Sequence, residues 1–162
     1  MKKIYSLFFI LTVIGLTFSS CKKEEKKDTV VTLSVVANWK TMAVNREFFL
    51  SDQSTGVKKT LNLSDYVDHI KFNADGTGNM SVSGMVIRKF RYTSTNADIH
   101  FANVSSYNGK VWVDSPNFMF FINDLSDQEL TFTQVDYDYT HQRVDDKEYD
   151  KIVTKVKIVK EN

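Results

Sequence analysis

The chain has 162 residues, and its 21 Lys and Arg against 20 Asp and Glu give a formal net charge of +1, without the basic excess with which a nucleic-acid-binding domain meets phosphate. One proline and six glycines beside 12 phenylalanines and seven tyrosines describe an ordered, strand-rich chain rather than a disordered one. A single cysteine excludes an intramolecular disulfide.

At the start, Lys2 and Lys3 precede an apolar run from Ile4 to Phe18 that ends in Ser19 and Ser20 directly before Cys21. The run is shorter than the roughly 20 apolar residues that span a bilayer, and its flank is a small-residue cleavage site, so residues 1–20 are read as a signal peptide. Removing it takes two lysines and no acid, leaving a mature chain close to neutral. Phe18-Ser19-Ser20-Cys21 resembles the bacterial lipobox, which implies that Cys21 carries a diacylglyceryl group and an amide-linked chain of the palmitate kind. At about 0.8 kcal/mol per buried methylene, several such chains make attachment to a membrane effectively permanent.

Residues 21–29 follow as a tether, with Lys22, Lys23, Glu24, Glu25, Lys26, Lys27 and Asp28 offering nothing to bury. Their Lys-Glu-Glu order resembles the signal that sends lipoproteins of the Bacteroidota to the outer face of the outer membrane; a plain charged spacer is the alternative. Asp28-Thr29-Val30 is similar to the O-glycosylation triplet of that phylum. The expected place of the protein is therefore the outer membrane, with the domain exposed at the cell surface.

The folded domain is expected over residues 30–162. Its leading valines are read as either a first strand or one turn of helix closing a barrel end. Strands are then expected from Asn38 to Phe48 and from Asp65 to Asn73, where Tyr66, Ile70 and Phe72 share one parity. Asn73-Ala74-Asp75-Gly76-Thr77-Gly78 supplies a turn into Met80 and Val82, making a hairpin. Further strands are expected at Val86 to Thr93, Asp98 to Val104, Lys110 to Asp114, Asn117 to Asn123, Glu129 to Tyr137 and Lys151 to Val159. The run Phe118 to Ile122 is apolar throughout and is expected to be covered on both faces. Phe118 and Phe120 are expected on the inner side, with Phe121 covered by the N-terminal segment or by the Tyr137 to Tyr149 connection. About eight to nine short-linked strands call for a barrel or a sandwich.

Catalytic and metal signatures are sparse. His69, His100 and His141 stand far apart without a cysteine partner, so no zinc spacing is present. Asp136-Tyr137-Asp138 opens like a calcium loop, but His141 occupies the position of the turn glycine and Lys147 that of the bidentate glutamate. The acids Asp145, Asp146, Glu148 and Asp150 are read as a solvated loop. There is no nucleophile elbow and no phosphate loop, and no residue is nominated for catalysis. The domain is expected not to be an enzyme and to need no cofactor and no metal.

Ala37-Asn38-Trp39-Lys40, the hairpin Phe72-Asn73-Ala74-Asp75-Gly76-Thr77-Gly78, and Phe120-Phe121-Ile122-Asn123-Asp124-Leu125-Ser126-Asp127-Gln128-Glu129-Leu130 together resemble the lipocalin-like domain of bacterial lipoproteins of the Bacteroidota type. That resemblance implies an all-β, antiparallel up-and-down barrel whose interior accommodates a small apolar molecule. Two positions depart from the pattern: Ala37 replaces the glycine before the tryptophan, and the last strand offers Lys155 and Lys157 where an arginine packs on it. The residues expected to line a cavity are Trp39, Phe72, Phe101, Trp112 and Phe120, although small barrels are also filled by such side chains. The expected function is a membrane-anchored binder of a small apolar or amphipathic ligand. The alternative is a solid-cored interaction module contacting an envelope protein partner or a host-facing one.

Overall fold

The computed structural model describes residues 34–161, apart from the side chains of Tyr139 and His141. The expected signal peptide 1–20, the lipidation site Cys21, the tether 21–29 and the first residues of the domain lie outside them. Among the described residues there are ten strands: β1 (Ala37–Leu50), β2 (Gln53–Thr60), β3 (His69–Phe72), β4 (Thr77–Val82), β5 (Met85–Ser94), β6 (Asp98–Tyr107), β7 (Trp112–Asp114), β8 (Phe118–Leu125), β9 (Glu129–Val144) and β10 (Lys147–Lys160).

Period-two alternation gives each strand an inner and an outer face, and the inner faces require closure to be buried. Closure is achieved by β1, whose start pairs with β3 (Ala37 opposite Phe72) while its length pairs with β10 (Trp39 opposite Lys160 to Phe49 opposite Lys151). Eight antiparallel strands thus form a ring in the order β1-β3-β4-β5-β6-β8-β9-β10, and β10 returns to β1. The fold is the expected all-β up-and-down barrel. β2 folds back on the far half of β1, and β7 pairs only with the end of β6.

Residues directly opposite one another across β1, β10 and β9 build the interior in rows. Val44, Val156 and Phe132 make one row, all fully buried. The next row toward the far end is Arg46, Thr154 and Gln134, and beyond it stand Phe48, Ile152 and Asp136. An irregularity between Thr41 and Ala43 turns exposed Met42 out of the alternation, so that Trp39, Thr41, Val44, Arg46 and Phe48 fall on one face.

Below the polar row the barrel is solid. Phe120 stacks on Phe132 at 4.0 Å and Phe101 on Phe118 at 4.3 Å, while Phe90 meets Phe101 edge to face at 4.8 Å. Each buried phenylalanine contributes roughly 1.5–3 kcal/mol. Gly78 makes room for this packing, because a Cβ there would stand 2.3 Å from the Phe90 ring. At the closed end the Trp39 indole N–H donates to the carbonyl of Val35 at 2.7 Å, and buried Val35 plugs the barrel. The described N-terminal residues Ser34 to Val36 are neither a strand nor a helical turn.

Three expectations are corrected. The region Asp65 to Val67 is not strand; Leu63–Asp65 is a short 3-10 helix, and β3 begins only at His69. The acidic stretch before the last strand is not a loop but a ribbon, in which β9 runs to Val144 and β10 starts at Lys147 around a tight turn with φ of 47° at Asp145 and 63° at Asp146. With β1 and β2 this ribbon forms a four-stranded extension around its own apolar cluster of Phe48, Val57 and Tyr149. Finally, Phe120 faces inward as expected and Phe118 is half-buried, but Phe121 is 42 % exposed rather than covered. The two segments expected to cover it are otherwise engaged: Val35 plugs the barrel end, and the connection after Tyr137 is paired in the ribbon.

Candidate functional site

At the end of the barrel opposite Val35 the solid core gives way to a recess of about 270 Å³. Its apolar floor comes from Ile70, Met80, Ile87 and Phe120, and its polar wall from Arg46, Arg88, Gln134 and Thr154. Tyr66, Val67, Asp65 and Asp136 complete the rim. The volume lies just below that of ordinary small-molecule pockets, and about half of the lining is polar where such pockets are mostly apolar.

Strand parity accounts for the wall. Arg46 and Thr154 are direct cross-strand partners, Gln134 is the next neighbour of Thr154, and Met80 stands opposite Arg88 across β4 and β5. The short helix Leu63–Asp65 carries the chain over the opening and delivers Tyr66 and Val67 to the rim. That crossing is pinned where the Thr41 hydroxyl donates to the Val67 carbonyl at 2.6 Å and the Asp68 N–H to the Ser81 carbonyl at 3.0 Å.

The wall holds polar groups without partners. Thr154 is 1 % exposed, and neither its hydroxyl nor the Nε of Arg46 has a hydrogen-bond partner among the described residues. A buried polar group left unsatisfied costs about 1–3 kcal/mol, so such pairs are rare in native interiors and call for an explanation. Arg88 is placed by donating its Nε–H to the Ser106 hydroxyl at 3.3 Å, with its guanidinium 5.2 Å from the centre of the Phe118 ring. Among the described residues neither arginine forms an ion pair with a carboxylate. The acids of the recess sit outside this layer: Asp65 and Asp136 are exposed, and Asp136 accepts a bond from Gln134 at 2.8 Å.

Tyr66 reports on this electrostatic arrangement. Burial pushes its phenol up to about 12; Arg46 opposes the rise, Asp136 adds to it and Arg88 opposes it. The phenol is therefore a neutral donor at physiological pH, in a field to which both arginines contribute.

Of the five residues expected to line a cavity, the structure brings Phe120 alone to the recess. Trp39, Phe72 and Phe101 are buried in the filled part of the barrel, and Trp112 lies outside on β7, 39 % exposed with the Lys89 ammonium 4.5 Å from its ring centre. The arginines, Thr154 and Tyr66 were not singled out by sequence. Their signal was an arginine at core parity, Arg46 between Val44 and Phe48 and Arg88 two before Phe90.

His69 and His100 stand elsewhere. His69 lies between two carboxylates, with Nδ1 2.9 Å from Asp68 and Nε2 3.1 Å from Glu161, and His100 is 3.4 Å from Asp98. Among the described residues no three His, Cys, Asp or Glu side chains group as a metal-binding set. Compared with known proteins, the chain matches no family model, no curated protein and no solved structure.

Proposed function

We propose that this protein is a non-enzymatic, membrane-tethered binding protein whose barrel mouth takes up a small amphipathic molecule. The observation that carries the reading is the recess itself, where the solid aromatic core stops and an apolar floor faces a polar wall. Of the apolar side chains at the floor, Ile70, Met80 and Phe120 belong to the buried core, so an apolar body placed there extends that core without rearranging it. The tether belongs to the same proposal: the lipobox at Cys21 and the charged residues after it support attachment to the outer membrane with the domain held outside it.

The test is uptake of an apolar dye by the mature chain from Cys21 onward, unacylated. Saturable dye binding that Met80→Trp abolishes by filling the recess supports the reading. Binding unaffected by that change, or no binding, contradicts it. For the anchor, a Cys21→Ser precursor is expected to be exported but to lose acylation and membrane fractionation. An unmodified cysteine in the native protein, seen by mass spectrometry, contradicts that part.

A second reading, an interaction module of the envelope, is favoured by one observation. Val111, Trp112 and Val113 form an exposed apolar stretch at the end of the β6–β7 hairpin. A photocrosslinker at position 112 in cells gives a discrete protein adduct under this reading and none if the hairpin is an unused surface.

A further inference from the structure

We infer that the recess selects an anion: it holds the oxyanion headgroup of a small amphiphile, a carboxylate or a phosphate, between Arg46 and Arg88. This rests on the binding function proposed above and names its ligand class.

The first support is the row structure of the barrel. Immediately above the fully buried row Val44, Val156 and Phe132, the sequence places an arginine, a threonine and a glutamine side by side on the inner face. One row further out stand Phe48, Ile152 and exposed Asp136, of which the first two pack in the separate apolar cluster of the extension. The polar row is therefore where the barrel core ends and the recess opens.

The second support is that this layer is unsatisfied from within. Thr154 is almost wholly buried, and among the described residues neither its hydroxyl nor the Nε of its cross-strand neighbour Arg46 has a partner. Native interiors satisfy such groups, so two left unpartnered beside the recess show that the layer around Arg46 is short of acceptors. What enters must accept hydrogen bonds, since a guanidinium has only donors to offer.

The third support is the distribution of charge. Arg46 and Arg88 are partly buried on the wall and free of carboxylate partners among the described residues, whereas Asp65 and Asp136 are exposed at the rim. Inside, the charge is positive and weakly screened; outside, the acids are solvated. The Tyr66 phenol lines the same recess as both arginines and, like any tyrosine at physiological pH, carries its proton as a further donor. Planar guanidinium groups suit carboxylate and phosphate oxygens, and an apolar tail then lies on Ile70, Met80 and Phe120.

The experiment is calorimetric titration of the mature, unacylated chain with four ligands that share one tail: octanoate, octyl phosphate, octanol and octylammonium. The inference expects at least one of the two anions to bind tenfold or more tightly than octanol, and octylammonium most weakly. Arg46→Gln and Arg88→Gln are each expected to cost the anion about tenfold and octanol several times less, and Arg46→Lys to restore part of the anion's loss. The preferred anion identifies the headgroup. Octanol binding as tightly as both anions, or anion binding indifferent to both arginine variants, overturns the inference and leaves the binding function standing. Failure of all four ligands to bind overturns both.

Discussion

Arg46 and Thr154 stand directly opposite each other across the ladder of β1 and β10, both line the same recess, and each keeps a buried polar atom without a partner among the described residues. One row away toward the closed end, Val44 and Val156 are opposite each other and fully buried. The boundary between scaffold and site thus lies within two residues of chain on either strand. The free protein carries the cost of these unsatisfied groups, which is the pattern expected where stability has been given up for binding.

A stability measurement follows from that relationship. Thr154→Val keeps the shape of the side chain and removes a buried hydroxyl that has no partner, so unfolding of the ligand-free protein in denaturant is expected to require about 1 kcal/mol more. A loss of stability of similar size would mean that the hydroxyl is satisfied in solution.

Gly78 carries the opposite expectation. A Cβ at this position would approach the Phe90 ring at 2.3 Å and the Lys71 carbonyl oxygen at 2.4 Å, and that carbonyl belongs to the adjacent strand backbone. The phenylalanine ring can shift but the ladder cannot. Gly78→Ala is expected to destabilise the barrel by about 1–3 kcal/mol through overpacking, read as a lower denaturation midpoint with unchanged slope.

The turn between β9 and β10 is open to improvement. Asp146 adopts φ of 63°, where a side chain costs roughly 1 kcal/mol that glycine avoids, and the bond it accepts from Arg143 goes to its backbone carbonyl and survives substitution. Asp145 next to it holds Lys59 at 2.6 Å and is left in place. Asp146→Gly is expected to raise the melting temperature by a few degrees for about 1 kcal/mol gained. An unchanged or lower melting temperature would show that the strain is absent or that the extension unfolds separately from the barrel.

His69 supplies a pH dependence of stability. Its bond to Asp68 raises the imidazole above its ordinary 6.5, desolvation opposes this, and Glu161 adds to it. For Asp68, desolvation pulls upward but is outweighed by the bonds from His69 and the Ser83 N–H, leaving it below its ordinary 3.8. The histidine contribution is fully present below the unfolded value of about 6.5 and is lost as pH rises through the raised folded value. The Asp68 contribution is present above about 3.9 and is lost as pH falls through the lowered folded value. Stability from this contact is therefore greatest between roughly pH 4 and 6.5. His69→Gln is expected to flatten the decline between pH 6 and 9 seen in thermal melts; an identical decline in the variant would assign it elsewhere.

Strand alternation made the barrel legible, because Ile152, Val156 and Ile158 on one parity, or Ile70 and Phe72, leave little choice of face. The glycines at Gly76 and Gly78 announced one hairpin. The hairpins turning at Ser51 and Asp52 and at Asp145 and Asp146 announced nothing, since their positive φ is carried by polar residues that read equally well as loop. The extension and β2 were missed for that reason.

The site was less legible still. Phe120 stood out in its apolar run, but the inward direction of Arg46 depends on the irregularity near Met42, which shifts parity between Thr41 and Val44 and leaves no mark in composition. Aromatic residues attracted attention as candidate lining, yet Trp39, Phe72 and Phe101 form the plug and the filled core, and the recess begins where aromatics stop. A charged residue at core parity was the better indicator, because burying it without a partner is costly unless something else meets it.

The central claim is that ligand enters the barrel mouth above Phe120, and the methionine methyl groups test it directly. Met80 lines the floor of the recess, while Met42 and Met85 are exposed on the outside at 50 % and 55 %. In an NMR titration of methyl-labelled protein with octanoate, the Met80 signal is expected to move with saturable dependence on ligand while Met42 and Met85 stay in place. A shift confined to Met42 or Met85, or no shift at Met80 at saturating ligand, would contradict the account.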